Sequence, residues 1–326
     1  MQRHILDNST INMITNKLPS GLWPVMLTPF HENNRIDVEG LRRLTNLYIN
    51  AGAHGLFSNC LSSEMFQLTD EERLQIVRTV VAESRSKVPV VAAGTFSSDM
   101  NRCAGFIRQV YDTGVAAVIV VTNQIADTGE SDDIFKKRIE LLLQQTGDIP
   151  LGLYECPDPY KRLLSPALMK WLGETGRFFY HKDTSCDLEA IKAKVKAIEG
   201  TQLSFYNADT PTALASIENG ASGISPIGAN FYPELYTFLI SQFNSNRKSE
   251  ALAHLNAQLD VMDTLVHRYY PFSAKLFLRQ RGLPIAPVCR IPVRKMRPVD
   301  NMKLQDLMRV FTHTAEYFRI NTGTIG

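Results

Sequence analysis

Two residues at the ends of apolar runs could do chemistry. The segment Arg177-Phe178-Phe179-Tyr180-His181-Lys182-Asp183 reads as a buried strand, yet it carries Lys182 at its end. An ammonium taken out of water is strongly disfavoured unless it is paired or loses its proton. Desolvation lowers a lysine pKa, and the neutral amine is the form that attacks a carbonyl to make a Schiff base. A lysine at a strand end can also snorkel to solvent, so a second residue has to decide. The segment Ile149-Pro150-Leu151-Gly152-Leu153-Tyr154 is another short apolar strand, ending on Tyr154 before Glu155-Cys156-Pro157. The two ends lie one β-α unit apart, and in a parallel sheet their side chains meet at the carboxyl edge, where such sheets place active sites.

The elements that must position this pair repeat along the chain. Short apolar runs near Leu22–Leu27, His54–Ser58, Val88–Ala93, Ala116–Val121, Pro150–Tyr154, Phe178–Lys182, Gln202–Asn207 and Ser222–Ile227 are each followed by an amphipathic stretch. Thr69-Asp70-Glu71-Glu72 forms a capping box ahead of apolar Leu74, Ile76, Val77 and Val80. Asp37 opens a helix with Leu41, Leu44, Leu47 and Tyr48 on one face, and Gly52, Gly114 and Gly220 sit where helices should stop. Consecutive β-α units favour a closed (β/α)8 TIM barrel over an open sheet. Leu27-Thr28-Pro29-Phe30 offers none of the glycines an open dinucleotide-binding sheet wants after its first strand. Beyond it, Ser249–His267, Pro271–Arg281 and Met302–Arg319 read as helices of a C-terminal appendage. The expected division is an extension over 1–20, the barrel over 21–246 and a helical region over 247–326.

Composition narrows the function classes. At 326 residues and 44% hydrophobic, the chain can bury a large core unaided. Its 35 basic and 33 acidic residues nearly cancel, which argues against nucleic acid or an anionic membrane as a partner. Arg290, Arg294, Lys295 and Arg297 read as a solvated, proline-spaced connection. The five cysteines include no C-x-x-C pair and suit a reducing, cytoplasmic setting. Cys60, Cys156 and Cys186 each follow an expected strand, but no histidine or carboxylate spacing supports a metal there. No apolar run of about 18 residues could span a membrane, and no signal-peptide core is present. Residues 1–20 are polar and aperiodic, as in a loosely docked or mobile extension.

Gly21-Leu22-Trp23-Pro24-Val25-Met26-Leu27-Thr28-Pro29-Phe30, the Ser62-Ser63-Glu64 turn, the Tyr154 strand, Lys182-Asp183-Thr184-Ser185 and Lys275 through Gly282-Leu283-Pro284 occur in a telling order. Together they resemble the dihydrodipicolinate synthase / N-acetylneuraminate lyase superfamily, from about residue 20 to 320. The resemblance implies a (β/α)8 barrel with C-terminal helices, a homo-oligomer, usually a tetramer, and no cofactor. It also implies a lysine that forms a Schiff base with pyruvate or another 2-oxo acid. Lys182 matches that lysine and Tyr154 the proton-transfer tyrosine. Ser62 and Ser63 fall in the turn that holds the substrate carboxylate. Ile224 matches a residue whose main chain borders the 2-oxo acid.

The departures from the family pattern are equally specific. Leu61 stands where the synthases carry a relay threonine, and Cys60 and Ser63 replace glycines of that turn. Thr122-Asn123-Gln124-Ile125 lacks the second relay tyrosine. Pro159 stands where an arginine should read the second substrate's carboxylate, with Lys161 and Arg162 only nearby. The reading is a Schiff-base lyase or aldolase acting on a 2-oxo acid, with reversible aldol cleavage or condensation involving pyruvate. The alternatives are 4-hydroxy-tetrahydrodipicolinate synthase, a 2-keto-3-deoxy sugar acid dehydratase and a non-catalytic 2-oxo-acid-binding regulator.

Overall fold

The computed structural model describes residues 17–245 and 250–323. Eight parallel strands curl into a barrel: β1 (Gly21–Leu22), β2 (Leu56–Ser58), β3 (Val90–Ala93), β4 (Ala117–Val121), β5 (Leu151–Tyr154), β6 (Phe178–Asp183), β7 (Ser204–Asn207) and β8 (Gly223–Ile224). Helices α1 (Val38–Asn50), α2 (Asp70–Ser84), α3 (Met100–Tyr111), α4 (Asp132–Thr146), α5 (Pro166–Glu174), α6 (Leu188–Ala197), α7 (Ala213–Glu218) and α8 (Pro233–Asn244) follow the strands in turn. Then come α9 (Glu250–Val266), α10 (Phe272–Gln280) and α11 (Pro298–Phe318). The architecture is the expected TIM barrel with C-terminal helices. The first helical residue expected for α9, Ser249, lies outside the described residues, as do 1–16 and the expected boundary at 246/247.

Every expected strand is present, and the shorter ones have a local cause. Pro24 lacks an N–H, so after Leu22 the chain leaves β8 and turns to β2. Phe57 N donates to Pro24 O, Met26 N donates to Phe57 O, and the Val25–Phe57 bridge closes the barrel. Pro226 likewise ends β8 at Ile224. The helix signals fold as read: Thr69 and Glu72 form a reciprocal capping box, Asp37 accepts from Gly40 N, and Gly52, Gly114 and Gly220 have positive φ.

The barrel interior is aromatic. Trp23 lies 5.2 Å from both Tyr180 and Tyr206, whose rings stack at 4.6 Å. Gly55 makes room for this indole, because a Cβ there would sit 2.4 Å from it. Residues 18 and 19, expected to dock loosely, seal the amino end: Trp23 Nε1 and the Tyr206 hydroxyl both donate to Pro19 O.

The opposite end is covered by the C-terminal helices through one buried ion pair. Lys275 Nζ on α10 donates to Glu64 Oε1 at 2.7 Å and to Val288 O at 2.6 Å, with both side chains wholly buried. The other Glu64 oxygen accepts from the amides of Arg290 and Ile291. Arg290 departs from the expected solvated connection. It forks onto Glu72 at 2.6 and 2.7 Å and lies over the Phe30 ring, whereas Arg294, Lys295 and Arg297 are exposed. Removing one partner of a buried pair strands the other charge, so Lys275→Met should cost roughly 3–5 kcal/mol in urea unfolding. Glu64→Gln added to it should recover part of that loss; no recovery would show that the charge of Glu64 is not what destabilises the single variant.

Candidate active site

Strand alternation at β6 sends successive side chains to opposite faces, so Lys182 points into the barrel while His181 and Asp183 point to the helix layer. β5 pairs in register, with Tyr154 opposite Lys182. Lys182 Nζ lies 4.8 Å from the Tyr154 ring centroid. Lys182 is 3% exposed and makes no ion pair among the described residues. Burial draws its pKa from 10.5 down to about 8, opposed weakly by the thiols of Cys60 and Cys156. Burial also pushes the Tyr154 phenol well above its ordinary range, so it starts as a neutral acid.

The carboxylates adjacent in sequence are kept away from this amine. Glu155 follows Tyr154 and Asp183 follows Lys182, and both are fully buried on the outer face. Lys194 of α6 donates to Glu155 Oε1 and Asp183 Oδ2, each at 2.6 Å. Burial opposes the charge of Lys194, but the two carboxylates outweigh it and raise its pKa. Glu155, His181 and Asp183 have metal-like spacing, yet the Lys194 ammonium holds two of the three. Glu155 also takes the amides of Leu164 and Thr184, locking the two strand ends together.

Both residues line a cavity of about 660 Å³ at the carboxyl end of the barrel, bordered by Leu61, Ser62, Ile227 and Tyr270 among others. The turn Leu61–Ser63 sits at its wall. Ser63 is not part of the lining: its hydroxyl donates to Met26 O at 2.6 Å and accepts from Cys60 N, which pins the turn to the segment that follows β1. Ser62 faces the cavity. The amides of residues 63, 64 and 65 bond within the turn, which leaves those of Leu61 and Ser62 without a partner among the described residues. Ile224 lies apart from the lining. Its side chain packs in the layer between barrel and helices, its carbonyl accepts from Trp23 N, and Ile227 borders the cavity instead.

The loop after Tyr154 divides by role. Pro157, Asp158 and Lys161 reach the cavity. Arg162 does not: its guanidinium bonds Asp127 O, Glu130 O and Asp132. Asn123, in the segment that lacks the relay tyrosine, holds the loop by donating to the carbonyls of Cys156, Asp158 and Tyr160. Sequence reasoning missed Tyr270, because Tyr270-Pro271 before a helix reads as a helix start. It missed Lys194 because a lysine on an amphipathic helix reads as solvated.

A family model described as the dihydrodipicolinate synthetase family matches residues 18–314. The chain belongs to that family. It is 24% identical over 290 residues to a 4-hydroxy-tetrahydrodipicolinate synthase of Methanothrix thermoacetophila, covering 88% of this chain and 95% of that one. It is 25% identical over 289 residues to the synthase of Oceanobacillus iheyensis, covering 89% and 96%. Among solved structures it resembles YagE, a prophage protein of E. coli K12 in complex with pyruvate, with a TM-score of 0.81, 19% identity and coverage of 90% and 98%. Members of the dihydrodipicolinate synthetase family are class I aldolases and lyases, and the chain is an enzyme of that type. No helix among the described residues is long and apolar enough to cross a membrane.

An unpaired buried lysine weakens the fold. The folded state holds fewer protons on Lys182 than the unfolded chain between pH 8 and 10.5, so its burden is full below about pH 8 and gone above 10.5. Lys182→Met should therefore raise stability at pH 7 by on the order of 3 kcal/mol. Urea midpoints measured at pH 7 and nearer pH 10 should show the gain shrinking as pH rises; an equal gain at both would mean the lysine's charge is not its source.

Proposed function

We propose that Lys182 forms a Schiff base with pyruvate or a related 2-oxo acid, and that the enzyme catalyses reversible aldol cleavage or condensation through the resulting enamine. The observation that carries this reading is Lys182 Nζ, buried in the cavity lining without a carboxylate partner among the described residues and 4.8 Å from the Tyr154 ring. The neutral amine attacks C2 of the oxo acid, and water leaves to give a protonated imine. In cleavage, the C4 hydroxyl gives up its proton, the C3–C4 bond breaks, and the electron pair moves to the imine nitrogen as an enamine. An aldehyde departs, C3 takes a proton, and water returns at C2 to release pyruvate. Tyr154, neutral and beside the amine, exchanges protons with the substrate hydroxyl or the imine nitrogen. The free amides of Leu61 and Ser62, with the Ser62 hydroxyl, suit the substrate carboxylate.

The wall facing the second substrate favours an aldehyde without its own carboxylate. Leu61 and Pro157 are apolar, Arg162 is committed elsewhere, and Asp158, Asp209 and Asp263 border the cavity. Lys161 is the nearest cation of the loop, and its ammonium donates to Thr184 O. The names of the relatives favour a second reading, 4-hydroxy-tetrahydrodipicolinate synthase, in which Lys161 would meet the carboxylate of aspartate semialdehyde. A lysine lacks the planar fork of arginine, so that binding should be weak.

Pyruvate with borohydride should add mass to the peptide containing Lys182, and Lys182→Ala should abolish the adduct. Its persistence in that variant would overturn the assignment, and no adduct in the unaltered enzyme would favour a non-catalytic binder. The trapping rate should climb to about pH 8 and then level, since the reactive amine is the deprotonated form; a climb continuing toward pH 10.5 would mean an ordinary lysine. Tyr154→Phe should still trap pyruvate while turnover falls about 10²–10⁴-fold.

A panel of 4-hydroxy-2-oxo acids and 2-oxo-3-deoxy sugar acids, run beside pyruvate plus aspartate semialdehyde, separates aldolase, dehydratase and synthase by product. Cleavage of a panel member to pyruvate is expected. Condensation with aspartate semialdehyde at a kcat/KM of about 10⁴ M⁻¹s⁻¹ or more, with the panel inert, would select the synthase instead.

A further inference from the structure

We propose that Tyr270 is a positioning residue for substrate binding: it donates to Ser62 Oγ and thereby turns the Ser62 hydroxyl proton toward the carboxylate of the bound 2-oxo acid. This rests on the reading of Ser62 as part of the carboxylate site. Tyr270 precedes α10, borders the cavity and lies beside Ser62. Its hydroxyl is the end of a buried line of hydrogen bonds whose direction can be worked out group by group.

The direction is set at Asn230, in the turn between β8 and α8. Asn230 is fully buried, and its Nδ2 lies 2.7 Å from Val25 O. A carbonyl can only accept, so the amide nitrogen must be at that end of the side chain. The same Nδ2 lies 2.6 Å from the Tyr270 hydroxyl, so it spends its second proton there and Tyr270 oxygen is the acceptor. On the other side Asn230 Oδ1 accepts from the hydroxyl of Tyr48 on α1, which is itself wholly buried. With its oxygen occupied by Asn230, the single proton of Tyr270 is free for the neighbouring Ser62 oxygen. Ser62 then has one proton left, and the cavity is the direction open to it.

A serine hydroxyl can act as donor or acceptor, and facing an anion only the donor is useful. The line Tyr48 to Asn230 to Tyr270 to Ser62 removes the wrong orientation before the ligand arrives, which lowers the ordering cost of binding. Burial holds both tyrosines protonated, so the line keeps its direction across ordinary pH. The hydroxyl stands beside Leu61, at the turn position that has lost a hydroxyl of its own.

The test compares Tyr270→Phe, Ser62→Ala and the double variant, reading the pyruvate concentration that gives half-maximal borohydride trapping. Acetone, a ketone without a carboxylate, serves as the control probe. Tyr270→Phe keeps the ring that packs on Phe231 and should fold. It should weaken pyruvate roughly tenfold, a share of the usual effect of a hydrogen bond to a charged group. The double variant should bind pyruvate no worse than Ser62→Ala, and trapping of acetone should be unchanged in all three. Unaltered pyruvate affinity in Tyr270→Phe, losses that multiply in the double variant, or an equal loss with acetone would each overturn the proposal. If Ser62→Ala binds pyruvate normally, the carboxylate site itself is misplaced and this proposal falls with it. If the unaltered enzyme traps neither ketone, the Schiff-base reading has failed instead.

Discussion

The site depends on one electrostatic separation. Among the described residues, Lys182 is buried without a counter-charge, although the residue after it and the residue after its strand neighbour Tyr154 are both acids. Were Asp183 or Glu155 to reach the amine, the pair would hold it protonated and it could not attack a carbonyl. Strand alternation turns both acids outward, and Lys194 then neutralises them on the far side of the sheet at 2.6 Å each. Two lysines thus divide the work: one absorbs the negative charge, and the other is left reactive by desolvation. The same carboxylate that Lys194 holds at Glu155 also ties the Leu164 and Thr184 amides, so charge separation and alignment of β5 with β6 come from one cluster.

The mouth of the barrel is organised from the C-terminal helices inward. Glu64, at a left-handed position just after the Leu61–Ser63 turn, receives Lys275 and the amides of Arg290 and Ile291. The turn that bears Ser62 is therefore held from beneath by Ser63 on Met26 O and from above by the clamp on Glu64. The helices after the barrel are part of the site in this sense, since they also bring Tyr270, Pro271 and Asp263 to the cavity edge. A change in α10 would be felt at the Leu61–Ser63 turn through Glu64, without touching the cavity lining directly.

Much of this was legible in the sequence because its physics is local. Strand-then-helix alternation, the Thr69 capping box and the apolar run ending on Lys182 each rest on contiguous residues, and each formed. Strand lengths were overread at β1 and β8 because Pro24 and Pro226 remove amides whose importance depends on the neighbouring strand. Arg290 looked solvated because Glu72 and Phe30 lie more than two hundred residues away in sequence. Asn230 and Tyr270 were invisible because their partners come from distant segments, and Lys194 because a lysine on an amphipathic helix reads as solvated. A buried polar side chain is recognised by its partners, and those of Asn230 come from α1, the segment after β1 and the turn before α10. Ile224 shows the converse limit: a strand position can be named from sequence, but whether its carbonyl faces ligand or a neighbouring strand is decided by closure of the barrel, here by Trp23.

The departures from the family pattern fall on one side of the cavity. The floor keeps Lys182, Tyr154 and a turn with free amides, the parts that the proposed imine chemistry uses. The rim changes: Leu61 contributes no hydroxyl, Asn123 spends its amide on holding the loop, and Arg162 is drawn away to Asp127, Glu130 and Asp132. Beside the departures, Asn123 and Arg162 each spend their polar groups on structural partners of the loop. With Asp158, Asp209 and Asp263 bordering the rim, there is little to attract a second carboxylate. On the proposed reading, imine formation and choice of aldehyde fall to different elements of the barrel, so the second can diverge while the first is kept.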